Sequence, residues 1–355
     1  MIQQLLSISR NTLLESIRQP IFVVLVLVGM LMMAINPSLA AYTLDNDNKL
    51  LVDLGLSTVF IFCLLLAAFT ATGVLSEEIE NRTVLTVISK PVTRPVFVIG
   101  KFLGVAGAIA LAFYVLSLAF LFTHRHGVMQ TASHSFDGPV ILFGLLAVIV
   151  ALVFAAGANY LYRWAFSSTL MVTLVITATA AALLTFSLDK EWAVQPPWAD
   201  FVANEGRRFQ ITLGLLLVFE AVLVLTAVAI AASTRLGQIM TLLVCLAVFL
   251  IGLVNNSFSQ FVDNQLNVPR NASVWESLGA VFTADASLHL KLFYALAKLV
   301  YVVLPDLQPL WPADALARGN PFSGLHILTV SAYSGLSLVM ILCVAVILFQ
   351  RREVG

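Results

Sequence analysis

Eight stretches of the chain stay apolar for the length a helix needs to cross a bilayer: 20–40, 51–75, 98–122, 139–161, 168–188, 211–232, 236–254 and 325–349. A helix rises ~1.5 Å per residue, so ~30 Å of hydrocarbon takes ~20 residues. The pattern predicts eight transmembrane helices, the sixth and seventh separated only by Ser233-Thr234-Arg235. Residues 1–19 follow a different rhythm. Ile2, Leu5, Leu6, Ser9, Leu13 and Ile17 recur every three or four positions, with Gln3, Ser7, Arg10, Asn11 and Arg18 opposite. That spacing predicts an amphipathic helix in the membrane interface, ending where the chain turns into the bilayer at Pro20. A signal peptide is the rival reading, because Ser38-Leu39-Ala40 resembles a small-residue cleavage site, but the long amphipathic start is unlike a charged leader.

Residues 255–323 form the one sizeable segment outside the spans, with Pro269, Pro305, Pro309, Pro312 and Pro321 and with Trp275 and Trp311 as interface anchors. Within it, Leu288 to Val303 is apolar enough to suggest a ninth span. Lys291 and Lys298 argue against that, since a lysine costs ~2.5–3.5 kcal/mol near a helix centre. The sequence therefore predicts an amphipathic helix on the outer leaflet with Lys291, Lys298 and Tyr301 on its wet side. The resulting order is an interfacial helix (1–19), seven spans with a cytoplasmic loop at 76–97 (20–254), an extracytoplasmic segment (255–323), and a last span with its tail (324–355).

Composition agrees with an all-α polytopic bundle. The 355 residues are 60% hydrophobic and 11% charged, with a mean hydropathy of +0.97, against about 25% charged in soluble domains. Nineteen basic residues balance nineteen acidic ones, which removes the basic footprint of a nucleic-acid binder. Cys63, Cys245 and Cys343 all lie in apolar runs and offer neither a disulfide framework nor metal-ligand spacing.

Eight spans put both termini on one side. If that side is cytoplasmic, the inner connections hold Arg10, Arg18, Arg82, Lys90, Arg94, Lys101, Arg163, Arg235, Arg351 and Arg352, ten of the 19 basic residues on the shorter share of loop sequence. Asp45, Asp47, Asp189, Glu191, Asp200 and Glu205 fall outside. Lys/Arg density orients helices, so N-in, C-in is favoured, with Lys190, Arg207 and Arg208 against the trend.

The most informative connection runs from Glu77 through Glu78, Glu80, Arg82, Thr83, Val84, Leu85, Ile88, Lys90 and Pro91 to Arg94. Ser76 can cap a helix start, and Glu77, Glu78 and Glu80 suit the positive end of its dipole. Val84, Leu85, Val87 and Ile88 then make a short apolar surface with no bilayer to enter. Pro91 breaks the helix, and Arg94 and Lys101 stand where the chain returns to the interface. A capped connector with snorkelling basic residues accounts for the charges. The exposed apolar patch adds a protein partner.

The run Glu80, Thr83, Leu85, Ile88, Ser89, Lys90, Pro91, Val92, Arg94, Gly100, Lys101 and Gly104 resembles the first cytoplasmic loop of ABC-2 type transporter permeases, including those similar to copper-maturation and gliding-motility permeases. Less specifically, Leu304-Pro305-Asp306-Leu307 resembles the family's Leu-Pro-Asn-Leu before the last span, and Phe349-Gln350-Arg351-Arg352 its basic exit. Asn81-Arg82-Thr83 departs from the family's glycine before the threonine, and eight spans exceed its usual six, the extra pair falling around 168–232. The resemblance implies a transport subunit that does not hydrolyse ATP itself. ATP and Mg would be held by a separate ABC-type ATPase that receives the loop's helix: Val84, Leu85 and Ile88 bury into it, Glu78, Glu80 and Arg82 set its orientation, and Thr83, Lys90, Pro91 and Arg94 complete the contact. It also implies a second permease subunit, identical or related, export, and a plasma (inner) membrane location. No Gly-x-x-x-x-Gly-Lys-(Ser/Thr) phosphate cradle occurs in the chain.

An enzyme reading competes. Glu77-Glu78-x-x-x-Arg82 and Phe122-x-x-x-His126 match two motifs of CAAX-type intramembrane proteases, but the predicted topology puts them on opposite faces, and the further His-x-x-x-Asn is missing. A channel or a membrane assembly or anchoring protein with a non-ATPase partner is the other alternative. His124, Arg125, His126 and His134 cluster in an outer turn and read as a solvated basic turn or a metal or pH site. Glu220 lies mid-span, where a carboxyl must face the bundle or a water-filled path. It reads either as a translocation-path residue or as a hydrogen-bonded tie between spans. Thr169, Thr173 and Thr177 share one face of span five, and Gly157 with Asn159 ends span four; both read as close-packing features rather than a polar stripe. Asp53 and Lys101 read as interfacial snorkellers.

Overall fold

The structure is a computed structural model of the chain; it describes residues 2–42, 47–80, 93–129, 136–265, 275–276, 279 and 288–350. The helices, in order, are α1 (Ile2–Arg18), α2 (Pro20–Ala40), α3 (Asp47–Glu80), α4 (Arg94–His126), α5 (Gly138–Tyr162), α6 (Phe166–Phe186), α7 (Ala199–Ser233), α8 (Gln238–Gln265), α9 (Leu288–Val303), α10 (Ala313–Ala317) and α11 (Gly324–Gln350). Among the described residues, eight of them are long and apolar enough to cross a membrane: α2, α3 as far as Val74, α4, α5, α6, α7 from Gly206, α8 and α11. The fold is an all-α polytopic bundle.

Its centre is α3, α4 and α7, whose apolar side chains are largely buried, while α2, α5, α8 and α11 keep broad rows of Leu, Ile and Val outward. A lipid-facing helix has no reason to hide those side chains, so burial reports helix packing rather than avoidance of water. Small residues permit the close approaches. A Cβ on Gly55 would stand 2.0 Å from the Phe120 ring, and one on Gly29 would stand 2.8 Å from Leu116. In the α5–α6 hairpin, Ala147, Ala151, Ala155 and Ala158 make a buried stripe on α5, and Leu170, Leu174 and Ala178 are buried on α6, which packs against it. Arg163 turns the corner at φ 56°, and Asn159 Nδ2 fixes it by donating to the Trp164 carbonyl at 2.6 Å. The packing role expected of Gly157 is not seen, since nothing lies within 4 Å of where its Cβ would be. Thr169, Thr173 and Thr177 flank the packed face of α6 and donate to carbonyls of their own chain at 2.8–3.3 Å.

The near end of the bundle is defined by the α3–α4 connection, the α7–α8 turn and the end of α11; the far end lies opposite. At the far end the basic turn expected around Arg125 is a buried knot. Arg125 is 3% exposed. Its Nε donates to Asp137 Oδ2 at 3.1 Å, Nη1 pairs with Asp200 Oδ2 at 3.0 Å and donates to the Thr185 carbonyl, and Nη2 donates to the Leu188 carbonyl at 2.5 Å. Asp137 also caps α5 by accepting from Val140 N–H, and Arg208 holds Asp200 at 2.8 Å. One guanidinium thus ties α4 to the start of α5, the end of α6 and the start of α7. His134 lies outside the described residues.

The segment after α8 also departs from expectation. Lys298, predicted on the wet side of α9, is 2% exposed, and its ammonium donates to Ser259 at 2.8 Å and Asp263 at 2.7 Å. The partners stand four residues apart on one face of α8, and they remove the cost that would have kept the lysine in water. α9 runs antiparallel to the outer part of α8, with Asn255 donating to the Leu304 carbonyl at 3.2 Å. The chain then turns inward. Leu307 N–H reaches the Gly252 carbonyl at 3.0 Å, and Trp311 packs edge-on to Phe60 and Phe249. Gly252 lies roughly 20 Å along α8 from its near end. The 304–312 stretch is therefore a plug that reaches about the midpoint of α8 and of the span in α3, and α10 returns the chain to the starts of α3 and α11.

Candidate functional site

The near end gathers the residues the sequence singled out. α3 continues through Ser76 to Glu80, the last residue described before the connection, so no new helix starts at Ser76 and Glu77, Glu78 and Glu80 do not fall in a first turn. The expected Ser76 cap is corrected on this point: an unbroken run of helix-forming residues carries α3 past it. Only the backbone of Glu78 and Glu80 is described; Arg82, Thr83, Val84, Leu85, Ile88, Lys90 and Pro91 lie outside the described residues.

Arg94 is the candidate whose side chain is placed. It opens α4, with Pro95 behind it in the first turn, and its Nη1 donates to the Gln350 carbonyl at 2.6 Å. From the α7–α8 turn, Arg235 Nη2 donates to the Leu348 carbonyl at 3.0 Å. Two guanidinium groups thus bind carbonyls in the last described turn of α11, where cations suit the direction of the helix dipole. Beneath them Phe349 is fully buried, with its ring stacked on Phe97 at 5.5 Å. The end of α11 is clasped to the start of α4.

The next turn of α4 grips α1. Gly100, Gly104 and Gly107 lie along one face, and α1 runs over them. A Cβ on Gly104 would stand 2.4 Å from Thr12 Cβ and 2.6 Å from the Ser9 carbonyl, and one on Gly100 would meet Ile8 at 2.8 Å. This is the small-residue approach by which helices associate in lipid. Lys101, expected to snorkel, is 4% exposed, with its ammonium 3.5 Å from Glu15 and 5.7 Å over the Phe97 ring. α1 is accordingly held by protein through Thr12, Ser16 and Ile17, while Ile2 and Leu6 face outward.

Glu220 lies on α7 and is partly buried. Its two oxygens accept from Ser331 Oγ at 2.6 Å and Ser334 Oγ at 2.8 Å, both on α11. The protease motifs do not converge: α4 alone separates Arg94 from His126 by roughly 50 Å, with the end of α3 at the near end. No group of three or more His, Cys, Asp or Glu that could hold a metal occurs among the described residues. Sequence reasoning missed the Arg235 clasp, the Glu15–Lys101 pair and the Arg125 knot, whose partners are distant in the chain.

Eight apolar helices, with their ion pairs toward the two ends and Glu220 hydrogen-bonded to Ser331 and Ser334 between them, define an integral membrane protein of the helical-bundle class. Residues 6–159, from within α1 to within α5, match the family model described as ABC-2 family transporter protein. That match and the apolar helices support a transmembrane transporter permease of the ABC-2 type. The matched stretch contains Arg94, the Gly100–Gly107 face and the whole 76–97 connection. No curated protein and no solved structure matches the chain.

Proposed function

We propose that the chain is the membrane subunit of an ABC exporter and that the 77–95 connection receives a separate ATPase, which holds ATP and Mg. The clasp of Arg94 on the end of α11 carries this reading. A displacement delivered to the connection acts at once on α3 and α4, reaches α11 through Arg94, and reaches α1 through Gly104 and the Glu15–Lys101 pair. Such a hub suits energy transmission without catalysis in this chain. Glu77, Glu78 and Glu80 favour a basic partner surface. Val84, Leu85 and Ile88 supply the apolar contact, with Thr83, Lys90 and Pro91 beside them and Glu78, Glu80 and Arg82 as its polar rim.

In this reading the near end is cytoplasmic, the protein resides in the plasma (inner) membrane, two permease subunits form the pathway, and movement is outward. Glu220 belongs to that pathway as a hydrogen-bonded point at which α7 and α11 part. Affinity purification from the native membrane tests the proposal: a P-loop ATPase should co-purify with the wild-type chain. Arg82→Glu should leave the permease folded while abolishing ATP-driven transport. If no such ATPase co-purifies and Arg82→Glu is without effect, the chain serves another partner.

A further inference from the structure

A cleft of about 550 Å³ opens in the far half of the bundle between α2 and α5, which both pack against α4. It runs from Leu27 to Pro37 along α2 and from Val115 to His126 along α4, roughly 15 Å by helix rise. The polar side chains described in its lining, Thr123 and His126, both stand in the last turn of α4, at the far end. Thr123 is already engaged, its hydroxyl facing the carbonyls of Met33 at 3.1 Å and Ala119 at 2.9 Å. The first of these is the carbonyl that Pro37, having no N–H, cannot serve. His126 is the polar group that remains. Its Nδ1 is shut off from solvent without a partner, so Nε2 is the nitrogen left to meet a ligand. A neutral imidazole nitrogen bonds a hydroxyl as donor or as acceptor.

Gly144, in the α5 wall, separates this cleft from a packing seam. Elsewhere in the bundle a missing side chain admits a neighbour: a Cβ on Gly55 or Gly104 would stand 2.0 or 2.4 Å from another side chain. A Cβ on Gly144 would meet nothing nearer than Phe122 at 3.6 Å. A glycine inside a helix costs stability relative to a larger residue, and at this one no helix moves in to use the space. The space belongs to the cleft, whose volume and apolar lining are those of a small-ligand site. What the wall lacks sets the occupant. Among the described lining residues none is Asp, Glu, Lys or Arg, so an ionised head drawn in would lose water and find no countercharge. A hydrocarbon chain loses nothing there, and a hydroxyl at its end finds His126.

We propose that this cleft binds a neutral single-chain amphiphile, its chain lying between α2 and α5 past Gly144 and its hydroxyl head at His126. The site stands on the geometry of this chain and does not depend on an ATPase. The test is photolabelling of the full chain in lipid nanodiscs with a diazirine-bearing dodecanol, the adducts being mapped by peptide mass spectrometry. Adducts should saturate and fall on the cleft walls of α2 and α5, and unlabelled dodecanol should displace them. Dodecyl sulfate and dodecyltrimethylammonium, below concentrations that disturb the discs, should displace them about tenfold less well. Gly144→Leu fills the cleft and should cut labelling about tenfold or more, while the thermal transition holds or rises because leucine forms helix better than glycine. Ala34→Leu, which narrows the cleft from the exposed α2 side, should do the same. Leu146→Met, on the outward face of α5 beyond the cleft, should leave labelling unchanged. Adducts that spread without saturation along that outward face to Val153, undiminished labelling in both filling variants, or equal displacement by the three head groups would overturn the proposal. Transport is not measured in this experiment, so failure here leaves the exporter reading untouched.

Discussion

The Arg125 knot sets a sharp stability prediction. Replacing Arg125 by Met keeps much of the side-chain volume but removes the cation that Asp137 and Asp200 share. Asp137 has a fully buried side chain and would keep only the Val140 N–H, whereas Asp200 would keep Arg208. Removing one member of a buried pair costs about 3–5 kcal/mol, because the other charge stays buried without compensation. The carbonyls of Thr185 and Leu188 lose their donor as well. A kcal/mol moves the melting point of a large domain by about 2–4 °C, so Arg125→Met should lower it by roughly 6–20 °C. Asp137→Asn should cost less, since its amide can still cap α5 and Arg125 retains Asp200. The double variant Arg125→Met/Asp137→Asn should be more stable than the sum of the two losses predicts, because the stranded charge is gone. Tryptophan fluorescence during heating of purified protein reads the transition, with Trp192 and Trp198 close to the knot in sequence. High salt should change little, because the pair is shielded from mobile ions. A melting point for Arg125→Met within about 1 °C of wild type would sink the account.

Three further outcomes follow from the near end and the mid-span glutamate. Gly104→Leu cannot be accommodated between α4 and Thr12, so α1 should detach and trypsin should cut at the exposed Arg10; unchanged resistance would mean α1 is not seated on that face. Arg94→Ala with Arg235→Ala removes both donors to the end of α11, about 1 kcal/mol each at exposed positions. Amide exchange in the last described turn of α11 should accelerate, and in the proposed exporter ATP-driven transport should fall while ATPase activity persists; unaltered exchange would refute the clasp. Glu220→Gln preserves the shape and can still bond Ser331 and Ser334, so stability should shift by no more than about 1 kcal/mol. Full transport by that variant would exclude a required charge on the path.

What the sequence could reveal depends on where each residue's partner lies. The eight spans are legible because apolar length is a local property, and the described helices fall within a few residues of the expected bounds except where α3, α4, α7 and α8 run past the apolar core. Ionic partners are not local. Arg125 finds Asp200 from 75 positions away, Lys298 finds Asp263 from 35, and Lys101 finds Glu15 from 86. Local reasoning sends a lone charge in an apolar run to water, and each of these three was misplaced for that reason. Ser76 failed differently: a cap signal is conditional on the helix stopping, and α3 does not stop there. These displacements also narrow the surface a cytoplasmic partner would meet. Lys101 is spent on Glu15, and Arg94 and Arg235 are turned toward α11, whereas Arg10, Arg18 and Arg163 remain exposed. In the proposed exporter, recognition at the near end would fall to the connection between Glu77 and Arg94. A partner that held this protein through general attraction to a basic face would survive changes in that connection, and one that read the connection would not.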